Sequence, residues 1–394
     1  MILLILGWLT ALGIKVPSLF FYASTRMIFA TIFGLGLTVF LGSVFIRKLC
    51  DLKVGHTVRV SDVATLASQY QKSSTVPSMG GLLFITTVLL SGLLFMDLSS
   101  AFTVILLLAM IWMGGIGFLD DFAKMKKGKS FGIPGRTKFL LQLLFSFLLS
   151  FYMLSPIVTD KVFGITPPTA KERVENGEIV RLTTKEYASH YYIPFYKKPI
   201  IVSGACTAFA VLLTLFVITG SINAVNLTDG LDGLAAGLSL FVALVLAVVA
   251  FLSNNIEIAS YLNILYIEGS GEIAIFLCTL MGALLGFLWY NGFPAELFMG
   301  DTGSLALGAV LGVSAVLLRR EFLFGLIGGV FVLETISVIL QVLSFRFRGK
   351  RIFLCAPIHH HFQMKGWHEM KVVIRFWMVG LLLALIGLVS LKVQ

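Results

Sequence analysis

Long apolar stretches dominate this sequence and constrain its fold more than any other feature. A helix needs about 20 mostly apolar residues to cross a bilayer, and ten segments meet that requirement. Their predicted bounds are 25–46, 80–97, 101–119, 138–158, 199–219, 231–252, 272–290, 303–319, 322–345 and 371–391. The pattern predicts an all-α integral membrane protein with ten transmembrane helices, forming a single polytopic domain over residues 1–394.

Composition excludes the soluble alternatives. Hydrophobic residues make up 58% of the chain and charged residues only 13%, whereas soluble domains carry about 25% charged residues. A soluble fold could not bury so much apolar surface, and a disordered chain would not contain it. The net charge of +10 could indicate nucleic-acid binding, but no basic–aromatic array accompanies it, so we expect no nucleic-acid partner.

The loops between the predicted helices form two groups that differ in charge. Ten crossings place both termini on one side of the membrane, and 18 of the 30 basic residues lie in or beside the loops on the other side. The positive-inside rule places these basic loops in the cytoplasm and both termini in the periplasm. The cytoplasmic loops are 47–79, 120–137, 220–230, 291–302 and the basic, histidine-rich 346–370.

Two segments lie outside this helical pattern. Residues 1–24 begin with an apolar run that is too short to span, and we expect it to be retained as an interfacial segment. Residues 159–198 are rich in Lys, Glu, Tyr and Pro. We expect them to form a periplasmic loop insertion with a small hairpin or helix.

Polar residues collect in four of the cytoplasmic loops, although two membrane crossings separate each loop from the next. This convergence predicts an active site at the cytoplasmic membrane surface. The residues are Asp120 and Asp121 in the second loop, Asn223, Asn226, Asp229 and Asp232 at the third, Asn291 and Asp301 in the fourth, and His359, His360 and His361 in the fifth.

Asp120 and Asp121 are adjacent carboxylates, which repel each other unless a cation lies close by. Oxygen ligands suit Mg²⁺, which usually takes one or two carboxylates together with substrate phosphates and waters. The pair could instead be a solvated helix end whose charge is balanced by Lys124, Lys126 and Lys127. Both interpretations are open at this point.

Asn226, Asp229 and Asp232 recur every three residues, and Gly230 and Gly233 interrupt the helical pattern. Glycines let the backbone approach a ligand closely, so the stretch predicts a binding loop. The alternative is a loop in which one Asp or Asn caps the next helix. Because capping needs one such residue and not several, we favour the binding loop.

Asp301 lies in a Gly-Asp-Thr-Gly turn at the predicted start of a helix. Such a turn suits a metal and a phosphate near a helix N-terminus, and Phe298 just before it could stack on a base. Asp301 could also be only a helix cap.

Three consecutive histidines, His359 to His361, follow a basic run in the last cytoplasmic loop. Adjacent side chains on a helix point about 100° apart, which is poor spacing for zinc but suits hydrogen bonds to phosphate or sugar oxygens. The alternative is an interfacial segment that contacts lipid headgroups. Glu334 lies inside the ninth predicted span, where an ionisable group is costly, and it could be functional or a packing residue.

In order along the chain, these motifs resemble those of the polyprenyl-phosphate N-acetylhexosamine-1-phosphate transferases. Within that superfamily they look like the phospho-N-acetylmuramoyl-pentapeptide-transferases (the MraY family) over about residues 25–394. The most specific pieces are NAVNLTDGLDGLA at 223–235, FMGDTGS at 298–304 and APIHHHF at 356–362. One departure is that Lys72 stands one residue farther from the Gly80-Gly81 pair than in the family pattern.

The resemblance implies transfer of phospho-N-acetylmuramoyl-pentapeptide from UDP-N-acetylmuramoyl-pentapeptide to undecaprenyl phosphate. The products would be lipid I, for peptidoglycan synthesis, and UMP, with Mg²⁺ as cofactor. It also implies a homodimer in the bacterial inner membrane with its active site facing the cytoplasm. Three alternatives are an N-acetylglucosamine-1-phosphate transferase of the same superfamily, a secondary transporter, and a non-catalytic lipid- or partner-binding scaffold.

Together, the motifs and the resemblance assign roles to individual residues. Asp120 could be a general base or a covalent nucleophile, but we expect direct attack by the lipid phosphate, with Asp120 orienting that phosphate or holding its last proton. Lys124 and Lys138 are expected to neutralise phosphate charge. Asp301, Asp121 and Asp229 are expected to hold Mg²⁺, with Asp301 as the main ligand. The expected substrate-binding residues are Asn226, Asp229, Gly230, Leu231, Asp232, Asn291, Phe298, His359, His360, His361 and Lys72.

Overall fold

Apolar helices form most of the structure. The computed structural model describes residues 2–15, 17–52, 76–127, 132–154, 170–175, 178–181, 189–196, 199–202, 207–262 and 264–392. The α-helices within these ranges are α1 (Ile2–Ala11), α2 (Ala23–Asp51), α3 (Gly81–Phe95), α4 (Ala101–Lys127), α5 (Gly135–Leu154), α6 (Thr207–Thr228), α7 (Leu234–Ser253), α8 (Ile256–Tyr261), α9 (Gly271–Asn291), α10 (Gly300–Leu317), α11 (Glu321–Ile327), α12 (Gly329–Arg348), α13 (Ile358–Met364) and α14 (Glu369–Lys392).

Within the described part of the chain, eight helices are long and apolar enough to cross a membrane: α2, α4, α6, α7, α9, α10, α12 and α14. The protein is therefore a predominantly helical, multi-pass membrane protein, as the apolar stretches predicted. The other two predicted spans correspond to α3, an apolar helix of 15 residues, and α5, a helix of 20 residues. The count of ten crossings stays a prediction.

The predicted span 199–219 is placed too early, because Ile200–Ile201 form a short strand and α6 runs from Thr207 to Thr228. Asn223 and Asn226, which the sequence assigned to the following loop, therefore lie in this helix.

The structure divides the ninth predicted span, 322–345, into two helices. α11 ends at Ile327 and α12 begins at Gly329, with Gly328 between them at φ −87° and ψ 16°. Glycine is about 1 kcal/mol less favourable than alanine inside a helix. The Gly328-Gly329 pair is therefore a natural place for the interruption.

Among the described residues, five short strands accompany the helices. β1 (Ala170–Glu175) pairs antiparallel with β2 (Glu178–Arg181) and with β5 (Tyr266–Ile267), while β3 (His190–Tyr191) pairs with β4 (Ile200–Ile201). β1 and β2 pair within the stretch 159–198, and β1 also pairs with β5 outside it.

The insertion and the acidic turn at Asp301 lie at opposite ends of α10. At the C-terminal end, the guanidinium of Arg319 lies 5.0 Å from the ring centroid of Tyr191 in β3. Asp301 is in the first turn of the same helix. At 1.5 Å per residue, the 18 residues of α10 separate its two ends by about 27 Å, which is close to the thickness of a bilayer core.

Small residues allow the helices around α10 to approach closely, as is common in membrane proteins. A Cβ atom at Gly81 of α3 would collide with Gly303, and one at Gly117 of α4 would collide with the Asp301 backbone. α10 is buried from Thr302 to Leu317. These crossings bring the C-terminal part of α4 against the start of α10.

Candidate functional site

Three carboxylates from distant parts of the sequence meet where α4 crosses the start of α10. One oxygen from each of Asp120, Asp121 and Asp301 lies within 4.8 Å of the other two. Asp120 and Asp121 are buried, so the pair is not a solvated helix end. The structure thus brings together carboxylates in the C-terminal part of α4 and the first turn of α10, which the sequence assigned to the second and fourth loops between helices.

Two lysines offset most of this negative charge. Lys124 Nζ lies 2.6 Å from Asp120 Oδ2 and 3.0 Å from Asp301 Oδ2. Lys138 Nζ approaches the same two oxygens at 3.3 and 3.1 Å. Buried charges are tolerated when they are paired in this way. The result is a compact cluster in which carboxylate and ammonium groups alternate.

Asp120 is held from both sides. Its Oδ1 accepts a hydrogen bond of 2.7 Å from the backbone N–H of Ile133, and its Oδ2 is engaged by the two lysines. A carboxylate with both oxygens occupied is poorly placed to collect a proton. The geometry therefore favours Asp120 as an organiser of the lysines over Asp120 as a general base.

Asp121 caps a helix that is distant in sequence. Its Oδ2 accepts hydrogen bonds from the backbone N–H of Thr302 at 2.9 Å and from the Thr302 hydroxyl at 2.7 Å. Its Oδ1 accepts a longer one, of 3.3 Å, from the Asp301 N–H. A carboxylate at a helix N-terminus is stabilised by the unpaired N–H groups and the helix dipole. Asp121 therefore locks the Asp301 turn onto α4.

Asp301 does not cap its own helix. Its Oδ1 instead accepts a hydrogen bond of 3.0 Å from the side-chain amide of Asn226, which also reaches Ser304 Oγ at 2.8 Å. The Asp301 side chain is 18% exposed, compared with 0% for Asp120 and 3% for Asp121. Asp301 is thus the most accessible of the three carboxylates, which supports its predicted place as the main metal ligand.

The glycine-containing turn before α7 is an ordered loop, and no described side chain caps the helix that follows it. α7 begins at Leu234 instead of residue 231, and Gly233, with φ 74°, precedes it without a side-chain capping bond. Asp232 Oδ2 accepts a hydrogen bond of 3.0 Å from the Ala295 N–H. This carboxylate therefore joins the turn before α7 to the segment between α9 and α10.

Asn291 and Leu231 support the same junction from inside. The Asn291 side chain accepts a hydrogen bond from the Gly233 N–H at 3.1 Å and donates one to the Leu297 carbonyl at 2.8 Å. Leu231 is buried. Both residues were predicted to bind substrate, and their contacts in the structure are those of residues that shape the loops.

Asp229 lies beside the carboxylate cluster, and its pKa is raised to about 8 by burial and, to a smaller extent, by the negative charges of Asp301, Asp121 and Asp232. The group of described residues close enough to share one ion contains Asp120 in place of Asp229. Asp229 as a third ligand therefore stays a prediction, and its raised pKa makes the prediction testable.

If Asp229 binds the cation, the affinity for Mg²⁺ should rise as the pH rises from 6 to 8. A carboxyl with a pKa of about 8 is protonated at pH 7, and the cation must displace that proton. The expected slope is about tenfold in affinity per pH unit below the pKa, because one proton is released per ion. Without a cation, ionising Asp229 over the same range should lower the stability of the fold.

Calorimetric Mg²⁺ titration of the purified protein at several pH values measures this dependence. Asp229→Asn should flatten it, whereas the matched variant Asp232→Asn should leave it in place. An unchanged slope in Asp229→Asn would remove Asp229 from the ligand set.

The three histidines have different surroundings. His359 is fully buried, and a Cβ atom at Gly230 would collide with its Nε2. His360 Nδ1 lies 2.7 Å from Gln363 Oε1, and burial, together with the neighbouring His359, lowers its pKa to about 4. His361 Nδ1 accepts a hydrogen bond of 3.1 Å from the Leu354 N–H, so it holds the preceding loop.

Phe298 is partly buried beside the acidic turn. Its backbone N–H donates to the Pro77 carbonyl at 3.0 Å, and its carbonyl accepts from the Gly80 N–H at 2.8 Å. The segment before α3 is therefore hydrogen-bonded to the fourth loop. Lys72 lies outside the described residues.

Three polar residues support the site without having been predicted to do so. Glu369 Oε1 accepts a hydrogen bond of 3.0 Å from the Asp232 N–H. Gln341 binds the backbone of Ile352 and Phe353. Glu334, which the sequence left without a role, lies 3.1 Å from His359 Nδ1. The sequence signal for Gln341 and Glu334 was a polar residue inside an apolar helix. No feature of the sequence pointed to Glu369.

Comparison with known proteins agrees with this geometry. The sequence model of glycosyl transferase family 4 matches residues 103–319. The phospho-N-acetylmuramoyl-pentapeptide-transferase of Protochlamydia amoebophila is 52% identical, with 97% of each chain covered. The proteins of the same name from Methylacidiphilum infernorum and Francisella philomiragia are 42% and 43% identical, with 96% and 100% of each chain covered.

The matched region contains all but the first two residues of α4 and the whole of α10, which carry the three clustered carboxylates. The relatives extend the similarity to nearly the whole chain. The transporter and scaffold alternatives are therefore not retained. The chain belongs to the phospho-N-acetylmuramoyl-pentapeptide-transferase family, within glycosyl transferase family 4.

Proposed function

We propose that this protein transfers phospho-N-acetylmuramoyl-pentapeptide from its UDP-linked donor to undecaprenyl phosphate, giving lipid I and UMP for peptidoglycan synthesis. The observation that carries the proposal is the cluster of Asp120, Asp121 and Asp301 with Lys124 and Lys138, in a chain of this family. The membrane-spanning helices suit a lipid acceptor, and the charged cluster suits a diphosphate donor.

The reaction is a direct displacement at phosphorus. An oxygen of the lipid phosphate attacks the β-phosphorus of the donor, and the bond from that phosphorus to the oxygen bridging it to UMP breaks. The bridging oxygen leaves with the bonding electrons as part of UMP. Such transfers depend mainly on positioning and on charge neutralisation. Lys124 and Lys138 carry the neutralising charge toward the phosphates.

The residues present fit a magnesium ion. Carboxylate oxygens are its usual protein ligands, and Asp301, Asp121 and Asp120 offer oxygens close together, with Asp229 as the predicted further ligand. A bound Mg²⁺ would neutralise the donor diphosphate and the UMP leaving group. With the carboxylates neutralised by the ion, the two ammonium groups would be left to the substrate phosphates.

The donor occupies the surface between the third, fourth and fifth cytoplasmic loops in this proposal. The uridine lies against Phe298 near the Gly230–Asp232 turn. His359 and His360 reach the diphosphate or the sugar, and the low pKa of His360 keeps that ring neutral at pH 7. We also propose that the site faces the cytoplasm of a bacterial inner membrane and that the protein is a homodimer, as the basic loops and the family resemblance imply.

The choice of donor tests the proposal. The purified protein should release UMP from UDP-N-acetylmuramoyl-pentapeptide only when undecaprenyl phosphate and Mg²⁺ are both present. UDP-N-acetylglucosamine should not replace that donor. Preferential use of UDP-N-acetylglucosamine would instead identify the protein as an N-acetylglucosamine-1-phosphate transferase.

Phe298→Ala should weaken donor binding about 10- to 100-fold, because base–aromatic stacking is worth about 1–3 kcal/mol per base. The KM for the donor measures this effect, and the KM for undecaprenyl phosphate should stay unchanged. Phe322→Ala is a matched control, since Phe322 is an exposed aromatic residue beyond the opposite end of α10. Equal donor KM values in Phe298→Ala and the unmodified protein would exclude the stacking role.

A further inference from the structure

Glu334 and His359 form a buried pair that joins α12 to the histidine loop. Glu334 Oε2 lies 3.1 Å from His359 Nδ1, and both side chains are fully buried. An uncompensated charge in such a place would cost several kcal/mol, so the two groups must be treated as one unit. The 24 residues between them, 335–358, contain the rest of α12 and the loop leading to α13.

The structure ties that intervening loop back to α12. Gln341 Nε2 donates to the Phe353 carbonyl at 3.0 Å, and its Oε1 accepts from the N–H groups of Ile352 and Phe353 at 3.0 and 2.9 Å. Ser344 Oγ donates to the Lys350 carbonyl at 2.9 Å. The helix that carries Glu334 therefore also holds the segment that delivers His359.

The other ring nitrogen of His359 faces the glycine turn. A Cβ atom at Gly230 would collide with Nε2, so only glycine leaves room for the ring there. Both ring nitrogens are buried and form no hydrogen bond among the described residues, but Nδ1 has Glu334 Oε2 at 3.1 Å, whereas Nε2 faces the Gly230 turn. Buried polar atoms of this kind are rare in folded proteins, and each calls for a partner or a function. The turn at Gly230 is also part of the proposed donor site.

The protonation states that burial allows for Glu334 and His359 decide whether Nε2 can donate a hydrogen bond. Burial favours two arrangements of the pair that have no net charge. In one, a glutamate carboxylate accepts from an imidazolium; in the other, a protonated Glu334 donates to Nδ1 of a neutral ring. Nε2 carries a hydrogen in both cases. A third neutral arrangement, with hydrogens on Glu334 Oε1 and on His359 Nδ1, would leave a buried hydroxyl without an acceptor, because Oε1 has no partner among the described residues. An ionised Glu334 beside a neutral ring protonated at Nδ1 would bury an uncompensated negative charge.

We propose that Glu334 is a positioning residue that holds His359 with its Nε2–H directed at the Gly230 turn, where it donates to a diphosphate or sugar oxygen of the bound donor. This inference rests on the proposed function. Because Nε2 is closed to solvent, the donor oxygen reaches it as the glycine turn adjusts to the substrate. The hydrogen bond made by one imidazole nitrogen sets the protonation of the other, and the Glu334 carboxylate, 3.1 Å from Nδ1, is the group placed to make it.

A double-mutant cycle tests this dependence. Glu334→Gln keeps the shape of the side chain but removes its charge. The neutral His359 ring can then carry its hydrogen on Nδ1, which leaves Nε2 as an acceptor, without burying a charge. We expect kcat/KM for the donor to fall about 10- to 100-fold, the range for loss of a hydrogen bond to a charged group or of a residue orienting a ligand. The KM for undecaprenyl phosphate should not change. Thr335→Val, a matched control at the next position of α12, should retain activity.

The decisive comparison measures the effect of Glu334→Gln in a protein that lacks the His359 ring. In a His359→Ala background, Glu334→Gln should cause no further loss, because Glu334 acts through the histidine. A loss of equal size in both backgrounds, or an equal rise in the acceptor KM, would overturn the proposal, since a general structural role predicts these results. Melting temperature and size-exclusion profiles show whether each variant is folded.

A second measurement decides the question even if Glu334→Gln fails to fold. In the protein labelled with ¹⁵N-histidine, the His359 signals are those missing from His359→Ala, and their shifts report which nitrogens are protonated. We expect a protonated Nε2 in the substrate-free protein, and an unprotonated Nε2 would overturn the proposal. The unmodified protein distinguishes failure of this inference from failure of the proposed function. If it showed no transfer activity, the proposed function would be refuted, but the protonation of His359 Nε2 could still be measured.

Discussion

Asp301→Asn is expected to reduce UMP release by at least about 1,000-fold while leaving the fold and membrane insertion intact. Asp301 is the most accessible carboxylate of the cluster and contacts both lysines and Asn226. The amide keeps the size of the side chain but loses the charge that binds a cation. Metal stabilisation of a transferring phosphoryl group is worth several kcal/mol, and each 1.4 kcal/mol corresponds to a factor of ten.

The measurement is the initial rate of UMP release with saturating donor, acceptor and Mg²⁺. Asp51→Asn is the matched control, because Asp51 is an exposed aspartate at the end of α2, and its rate should equal that of the unmodified protein. Substantial activity of Asp301→Asn at high Mg²⁺ would show that the ion is held elsewhere. A variant that elutes as aggregate would instead indicate that Asp301 is needed for the fold.

Without acceptor lipid, excess enzyme mixed with donor should release no burst of UMP. Direct attack requires the lipid phosphate, whereas a covalent mechanism would form a phospho-sugar adduct on an aspartate and release one UMP per enzyme. Asp120 is the obvious nucleophile by position, yet its two oxygens are bound to Ile133 N–H and to the lysines. A stoichiometric burst with an adduct on Asp120 or Asp121 would refute direct attack.

Asp120→Asn separates the remaining roles of this residue. A phosphate monoester has a second pKa near 6, so the acceptor is already mostly a dianion at pH 7 and gains little from a general base. If Asp120 organises the lysines and orients the acceptor, the variant should be slow at pH 6 and should recover part of its rate at pH 8, as the acceptor ionises fully. The single-turnover rate with acceptor present measures this recovery, and a rate that stays equally low at both pH values would contradict it.

The transmembrane helices were predictable because the apolar bilayer core requires apolar residues within each segment that crosses it. Each span needs its own run of apolar residues, and α2, α7 and α14 lie within a few residues of the stretches 25–46, 231–252 and 371–391. The convergence of the polar motifs was predictable for a related reason. Helices that cross the membrane return every second loop to the same face, so loops that are distant in sequence share one surface.

The partners of the polar side chains could not be predicted in the same way. Asp121 and Asp301 look equivalent as candidate ligands, but Asp121 caps α10 while Asp301 contacts the lysines and Asn226. Asn291 looks like a binding residue, yet its amide is occupied by backbone groups on two loops. Hydrogen bonds act over about 3 Å, so they depend on where helices cross and not on the order of motifs.

Local hydrophobicity and motif spacing were therefore sufficient for the helical class, for the face that collects the polar residues and for the resemblance to a transferase family. Tertiary structure alone decided which carboxylate is accessible, which one caps α10, and that Glu334 meets His359. The physical reason is that the close approaches at Gly81, Gly117 and Gly230 set the crossing points of the chain. A shift of one or two ångströms at any of them would exchange one hydrogen-bond partner for another.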